Sequence, residues 1–356
     1  METIKIKTNS QEYCVLAGEN LIVFDNFDDA DGKEVFLVVD DGVPKKNVEK
    51  IKKILDERSS KFHSITMEAS EEKKSFSSLE EIHDSLIDLG YSRDCVLYAM
   101  GGGIICDMTG FAAATFQRGV DFVLIPTTLL SQVDAGVGGK LGIDFKNYKN
   151  QIGIFKEANT VIIDTKFLST LSERELKSGF AEIIKHCLIK DSSKFDEISN
   201  NLEWEKNNWN DLVNHSIDIK SQVVKLDLKE VGFRKILNYG HTLGHAIETT
   251  YMSKQNKLLH GEAIAIGMIC EAYISFYFNK LTKDELNKIS NFITNIFNLQ
   301  EINYFEEIIK HTFQDKKNVN QKIRTCVLNG IGDCEYDIEI NPNLILDSLE
   351  YYNKIL

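Results

Sequence analysis

The stretch CVLYAMGGGIICDMTGFAAATF, Cys95 to Phe116, decides the fold. An apolar run of strand length, Cys95 to Met100, leads into three glycines, Gly101 to Gly103, and a helical stretch opens directly behind them. Lacking side chains, Gly101, Gly102 and Gly103 let backbone N–H groups approach an anion at a helix N-terminus, where the dipole also favours negative charge. The segment is not a complete G-x-G-x-x-G, so by itself it fits either a nucleotide phosphate site or a merely tight strand-to-helix turn. On either side, EVFLVV, KFHSITM, DFVLIP and TVIID have the length of buried strands and alternate with helical stretches up to about residue 165. That alternation predicts a parallel α/β sheet.

From about Leu171 the period changes. SERELKSGFAEIIKHCLI, LVNHSIDIKSQVVKLDL, FRKILNYGHTLGHAIETT and GEAIAIGMICEAYISFYF all carry apolar residues at helical spacing. The chain therefore reads as an α/β domain over residues 1–165 followed by a mainly α-helical domain over 166–356. Near the end, KIRTCVLNGIGDCEYDIEI predicts two strands around a glycine turn, with a closing helix from Asn341 to Tyr352. Three prolines in 356 residues leave no rigid linker to mark the boundary.

Composition narrows the function. A net charge of −13 argues against nucleic acid or an anionic membrane as partner, although a local basic cluster can still hold an anion. No apolar run approaches the roughly 18 residues that span a bilayer, and METIKIKTNSQEY alternates like a strand rather than a signal peptide, so the expected location is cytoplasmic. Seven cysteines without a C-x-x-C pair argue against a disulfide framework and against a cysteine-type zinc site.

Several constellations can carry chemistry. PTTLLSQVDAGVGGKLGID sets Thr127 and Thr128 just after a strand, then Asp134, Gly138, Gly139 and Lys140 in a stretch too glycine-rich for a stable helix. At the carboxyl end of a parallel sheet these groups suit a polar ligand, or simply a flexible surface loop. Glu182 and Lys185 stand on an otherwise apolar helix, where a carboxylate must pair, meet a cation or escape to solvent. His241 and His245, four apart in NYGHTLGHAIE, share a helical face but lack the glutamate of the zinc-protease signature, because Thr242 stands in its place. Together with His260 in LLHGEAIAIG they supply imidazoles from separate helices. A carboxylate and two imidazoles with an open fourth position are the ligand set of a catalytic zinc, whereas one lone histidine is ordinarily core or cap filler. Arg118, Lys140, Lys149, Lys185, Lys220, Arg234 and the DKK at Lys316 and Lys317 are surface charges taken singly. Placed around one ligand they suit phosphate and carboxylate together.

GGGIICDMTGFAAATFQRGVDFVLIPTTLLSQVDAGVGGK, SERELKSGFAEIIKHCLI, GFRKILNYGHTLGHAIE and LHGEAIAIGM, in that order and over most of the chain, closely resemble the 3-dehydroquinate synthase family of sugar phosphate cyclases. The resemblance implies a Rossmann-like NAD-binding domain followed by a helical metal- and substrate-binding domain. It also implies an NAD- and zinc-dependent lyase of the shikimate pathway, with cobalt as an alternative metal. Such an enzyme turns 3-deoxy-D-arabino-heptulosonate 7-phosphate into 3-dehydroquinate and phosphate. A hydroxyl is oxidised, the new ketone acidifies the neighbouring proton, phosphate leaves, the ketone is reduced again, and the opened ring closes by an aldol step.

By the same resemblance the histidine pair divides its work: His241 joins Glu182 and His260 on the metal, while His245 faces the substrate near its phosphate. Asp134, Lys140, Asn150 and Lys185 match catalytic and substrate-contacting positions, and Lys220, Arg234, Asn238 and one lysine of the DKK, Lys316 or Lys317, match further substrate contacts. Arg118 matches an arginine that reaches a neighbouring subunit's phosphate site, which implies a homodimer. For NAD the matching positions are Asp40, Glu71, Lys74, Gly102, Gly103, Asp107, Thr127, Thr128, Lys140, Lys149 and Thr170. The chain departs from the pattern at Cys106, where glycine is usual, at Ala135 and Gly136 in place of a serine pair, and at Gly42 in place of asparagine. The segment from His241 to His260 is also about two residues longer. Neighbouring readings are a cyclase for neutral sugar phosphates, a metal-dependent alcohol dehydrogenase that releases NADH, and a catalytically silent binding protein.

Overall fold

The computed structural model describes residues 2–7, 12–146, 148–201, 203–252, 254–313 and 322–356. The first elements along the chain are β1 (Glu2–Lys7), β2 (Glu12–Gly18), β3 (Glu34–Asp40), α1 (Lys45–Arg58), β4 (Lys61–Met67), α2 (Phe76–Asp88), β5 (Val96–Gly101) and α3 (Gly103–Thr115). Then come β6 (Asp121–Pro126), β7 (Lys140–Phe145), β8 (Tyr148–Phe155) and β9 (Thr160–Asp164). Helices follow: α4 (Glu173–Lys190), α5 (Ser192–Asn200), α6 (Trp209–Leu226), α7 (His241–Tyr251), α8 (His260–Tyr277), α9 (Lys283–Ile296) and α10 (Phe305–Phe313). The chain ends with β10 (Ile323–Leu328), β11 (Cys334–Ile340) and α11 (Pro342–Ile355). No helix among the described residues is long and apolar enough to cross a membrane.

Two compact units result: Met1–Ser172 with Trp209–Leu228, and Glu173–Asn208 with Lys229–Leu356. The expected boundary stood at 165/166. The break falls after Ser172, and α6, expected in the helical half, belongs to the first unit, where it packs beside β2 and the turn that bears Asp134. Its apolar stripe, Leu212, Val213, Ile217 and Val224, is buried there, and Lys220 on the same helix pairs with Asp134. Helical periodicity reports that such a stripe exists and says nothing about which partner covers it.

The first unit is built on a sheet ordered β1-β2-β9-β6-β5-β3-β4, parallel throughout except for the β1–β2 pair. Val35, Leu37, Val39, Val96, Tyr98, Met100, Val123 and Ile125 are buried in one cluster with Ile51 and Leu55 of α1. Phe36, Leu97, Ala99 and Leu124, which alternate with them along the strands, are buried as well, so the strands read as continuous apolar runs because both faces are covered. The segment expected as a glycine-rich loop is more ordered than its composition suggests. Ser131–Ala135, with Asp134, forms a π-helical turn, and Lys140 begins β7, which pairs with β8 as an antiparallel hairpin.

The hairpin carries a pH signature. Asp144 on β7 accepts a hydrogen bond from the backbone N–H of Asn150 at 2.7 Å, and burial, together with the carboxylate of Glu71, pushes its pKa up to about 6. An unfolded aspartate titrates near 4, so the stability that this group contributes is fully present below about pH 4 and is lost as pH rises through 6. Asp144→Asn keeps the acceptor and removes the charge. After discounting for the solvent beside this half-open group, it should stabilise the protein by about 1 kcal/mol at pH 8, and the gain should shrink towards pH 4. Thermal melts of both proteins across that range decide it, and a pH-independent difference refutes the assignment.

In the second unit α8 is buried on every side, from Ala263 and Ile266 to Cys270 and Ile274, as befits a helix apolar all round, and α4, α7, α9 and α11 pack against it. The expected terminal strands appear as the β10–β11 hairpin and the closing helix as α11. The run from Phe233 to Thr250, whose spacing suggested one helix, is broken. Phe233–Asn238 is a 3-10 turn, Gly240 adopts φ 79°, and α7 starts afresh at His241. Only glycine takes that left-handed conformation without strain.

Candidate functional site

In the second unit, Glu182 lies in the middle of α4 and is fully buried, so of the alternatives its sequence left open the escape to solvent falls away. Its Oε2 accepts from Lys185, one turn further along the same helix. Its Oε1 is buried without a hydrogen-bond partner, and His241 Nε2 and His260 Nε2 stand 3.5 and 3.6 Å from it. Two imidazole nitrogens converging on an orphaned carboxylate oxygen are what a cation site requires. All three ligand atoms lie within 4.8 Å of one another, and the donor set fits zinc or cobalt.

The electrostatics agree. Burial alone opposes the charge on Glu182, but Lys185 and the imidazoles of His241 and His260 outweigh it and hold the carboxyl well below its usual range. Burial, then the ammonium of Lys185, keeps the His241 imidazolium from forming. His241 Nδ1 lies 3.1 Å from the carbonyl of Tyr239, an acceptor only, so Nδ1 carries the proton and Nε2 presents a lone pair. His260 Nδ1 lies 3.5 Å from Glu248 Oε2. Burial opposes a proton there, yet Glu248 and then Glu182 raise the pKa of His260 to about 10 in the protein without an ion.

His245, one turn after His241, places its ring 5.0 Å from that of His241 and 5.8 Å from that of His260. Arg234 is buried on the 3-10 turn ahead of α7, and Asn238 at the end of that turn donates to Glu230. Lys316 lies outside the described residues. The structure therefore brings Glu182, Lys185, His241, His245 and His260 together.

In the first unit, strand ends and turns collect a second group. Asp40 closes β3 and accepts from the backbone N–H of Gly102 at 3.1 Å and of Gly42 at 2.9 Å. Gly102 caps α3, which opens at Gly103, so the glycine turn sets a helix N-terminus beside a carboxylate at the carboxyl ends of parallel strands. Lys74 donates to Asp107 at 2.5 Å and to Asn150 at 2.6 Å. Burial opposes its charge, but Asp107 outweighs it and keeps the ammonium protonated. Glu71 pairs with Lys149 at 3.1 Å, and Thr128 exchanges hydrogen bonds with Ser131. Thr127 is buried after β6, Lys140 is exposed at the head of β7, and Thr170 is exposed with its hydroxyl donated to Phe167 within its own turn. Arg118, exposed after α3 with φ 72°, joins none of these pairs. A glycine-lined N–H turn flanked by Asp40 and a fixed ammonium fits a dinucleotide.

Two departures from the family pattern have local causes. Cys106 is buried and directs its thiol at the carbonyl of Gly101. A side chain at Gly136 would begin 2.8 Å from the carbonyl of Ser131, so the π-helical turn leaves no room for serine.

Three acids escaped sequence reading: Glu230, the partner of Asn238; Glu248, the partner of His260; and Glu271, fully buried on α8. Glu271 breaks an apolar helix just as Glu182 does, and the same signal would have found it.

Residues 64–178 match the family model described as 3-dehydroquinate synthase N-terminal, and residues 179–318 the one described as 3-dehydroquinate synthase C-terminal. A 3-dehydroquinate synthase of Pelagibacter ubique (strain HTCC1062) is 38% identical over 356 residues, 96% of either chain. One from Buchnera aphidicola subsp. Cinara cedri is 37% identical and covers 98% of this chain and 97% of its own. Among solved structures, a 2-deoxy-scyllo-inosose synthase complexed with carbaglucose-6-phosphate, NAD+ and Co2+ superposes with a TM-score of 0.88 at 26% identity, covering 98% of this chain and all of that one. An iron-containing alcohol dehydrogenase, with a TM-score of 0.66 at 16% identity, shares the fold alone. The chain belongs to the 3-dehydroquinate synthase family.

Proposed function

We propose that this chain converts 3-deoxy-D-arabino-heptulosonate 7-phosphate into 3-dehydroquinate and inorganic phosphate, with NAD and a divalent metal, zinc or cobalt, as cofactors. The observation that carries the reading is the orphaned Glu182 oxygen facing the Nε2 atoms of His241 and His260 in a member of this family. When bound, the metal polarises the substrate hydroxyl that is oxidised, and NAD accepts and later returns its hydride.

Everything else falls to the chain's own side chains. Asp40, Gly102 and Gly103 receive the dinucleotide, with Glu71, Lys74, Asp107, Thr127, Thr128, Lys149 and Thr170 as further contacts. Asp134, Lys140, Asn150, Lys185, Lys220, Arg234 and Asn238 are the substrate contacts. His245 moves a proton near the substrate phosphate, a service that contributes on the order of 10²- to 10⁴-fold in rate. Elimination breaks the C–O bond to phosphate as the proton next to the new ketone is lost; once that ketone is reduced again the ring opens, and the enol carbon so released attacks the keto carbon, whose oxygen takes up the enol's O–H proton as the new C–C bond closes the ring. Arg118 serves a neighbouring copy's phosphate site in a cytoplasmic homodimer. A monomer by analytical ultracentrifugation at working concentration removes that role.

The deciding experiment follows phosphate release and NADH absorbance together, with NAD and zinc each supplied or withheld. Release that needs both, without lasting NADH, is the expected result. Stoichiometric NADH would instead identify a dehydrogenase, and no release from folded, zinc-loaded protein would point to a cyclase for neutral sugar phosphates. The carboxylate contact is tested by Arg234→Lys, which keeps the charge and loses the planar fork. KM should rise about tenfold with kcat little changed, since a charged hydrogen bond is worth about 1.5–3 kcal/mol. An unaltered KM means that Arg234 does not hold the carboxylate.

A further inference from the structure

We propose that Glu271 is a positioning residue for the metal centre: through one peptide group it fixes the ring orientation and tautomer of His241. The inference rests on Glu182, His241 and His260 being the metal ligands. Glu271 is fully buried on α8. Its Oε2 accepts from the backbone N–H of Gly240 at 2.8 Å, and its Oε1 from those of Thr242 and Leu243 at 3.1 and 3.3 Å. A buried carboxylate is costly unless it is hydrogen-bonded, and here three donors meet it.

The first of these bonds carries the consequence. The Gly240 N–H and the Tyr239 C=O belong to one trans peptide group and point in opposite directions. That carbonyl is the acceptor of His241 Nδ1–H at 3.1 Å. A relay therefore runs from the Glu271 carboxylate, across the Tyr239–Gly240 peptide, to His241 Nδ1. It leaves Nε2 unprotonated and facing Glu182 Oε1 at 3.5 Å. A hydrogen bond at each end holds the peptide plane, and each bond polarises the next. Metal-bound histidines ordinarily present their second nitrogen to a carboxylate or a carbonyl, and here the carbonyl is itself oriented by a carboxylate one peptide away.

The surroundings explain why the task falls on a residue from another helix. Gly240 caps α7 in the left-handed conformation and offers no side chain, so the first N–H groups of α7 need an outside acceptor. Tyr239 is anchored on the far side by its hydroxyl, which donates to the carbonyl of Met268 on α8 at 3.0 Å. Since α8 also begins with His260, Glu271 and Tyr239 tie the start of α7 to the helix that carries the other imidazole ligand.

The test uses Glu271→Gln, which keeps an oxygen for Thr242 and Leu243 and turns its amide N–H₂ towards the Gly240 N–H. Zinc affinity is measured by competition with a chromogenic chelator, the d–d spectrum is recorded with Co2+ bound, and the ion-free protein is melted. The expected result is a tenfold or greater loss of zinc affinity and an altered Co2+ spectrum, with circular dichroism like that of the parent. A variant that melts lower but binds zinc within twofold of the parent, with an unchanged Co2+ spectrum, overturns the proposal and leaves Glu271 a helix cap. Should the variant not fold, the parent supplies the answer. Long-range 1H–15N spectra of ion-free protein, with His241 assigned through His241→Asn, report its tautomer, and an Nε2–H form overturns the relay. Parent protein that binds no Co2+ at all refutes the ligand set instead, and the relay with it.

Discussion

His241→Ala should lower phosphate release by at least about 10³-fold and leave the protein folded but unable to retain a divalent ion. The variant removes one of two imidazoles that converge on Glu182 Oε1, an oxygen with no hydrogen bond of its own. A three-ligand site reduced to a carboxylate and one imidazole loses both affinity and geometry. A rate loss of 10³ corresponds to about 4 kcal/mol of transition-state stabilisation, within the several kcal/mol that a Lewis acid supplies. Fold and ion are separable here, because α7 is held to α8 by contacts that His241 does not make: the Glu271 bonds, the Tyr239 hydroxyl and the packing of Leu243 and Ile247. Metal content by mass spectrometry, read beside the rate, decides between the alternatives. Parent protein dialysed against a strong chelator should fall to the level of the variant and recover with zinc, whereas the variant should neither lose nor recover anything. Activity that persists in ion-free parent protein rejects the metal assignment altogether.

The difference between what the sequence tells and what it withholds follows from the range of each interaction. Cys95 to Phe116 states its strand, turn and helix because those are decided within a few residues by burial period and glycine. The ligand set is suggested by residue type at Glu182, His241 and His260, but spacing leaves His241 and His245 equivalent. What separates them is the Tyr239 carbonyl, which fixes one ring, and the carboxylate of Glu182, which lies about 60 residues earlier on another helix. Long-range facts of that kind are absent from local pattern, and so is the membership of α6 in the first unit, which depends on what covers its stripe. The π-helical turn at Asp134 hides for a different reason: glycines beyond it imitate a loop, while the ordering comes from Val133 and Gln132 buried behind it. Glu271 was readable in principle, since a single acid on the apolar face of MICEAYISF poses the same question as Glu182. The sequence alone leaves open whether the answer is a metal, a lysine or three backbone N–H groups.

Gly267→Ala should cost the second unit about 3 kcal/mol or more and lower its melting temperature by roughly 6–12 °C, although alanine is ordinarily the better helix former by about 0.8–1.0 kcal/mol. The sign is reversed by the close approach of two helices. A Cβ on Gly267 would stand 2.0 Å from the carbonyl oxygen of Gly240 and 2.8 Å from the N of Gly244, distances that no carbon holds without displacement. The atoms in the way are backbone, so no rotamer change relieves the contact. Gly240 is held by Glu271, and Gly244 has no slack either, because a Cβ there would meet Ile264 Cδ1 at 2.7 Å. The added methyl group must therefore push α7 from α8 as a whole, in a core packed too densely to absorb the shift. The same displacement lengthens the Glu271 bonds and swings His241 away from Glu182, so zinc affinity should fall together with stability. Differential scanning calorimetry of ion-free protein gives the first effect and chelator competition the second. Each transition is treated separately, because two compact units need not unfold as one. A variant that melts at or above the parent temperature shows that the α7–α8 approach is looser than 2.0 Å implies.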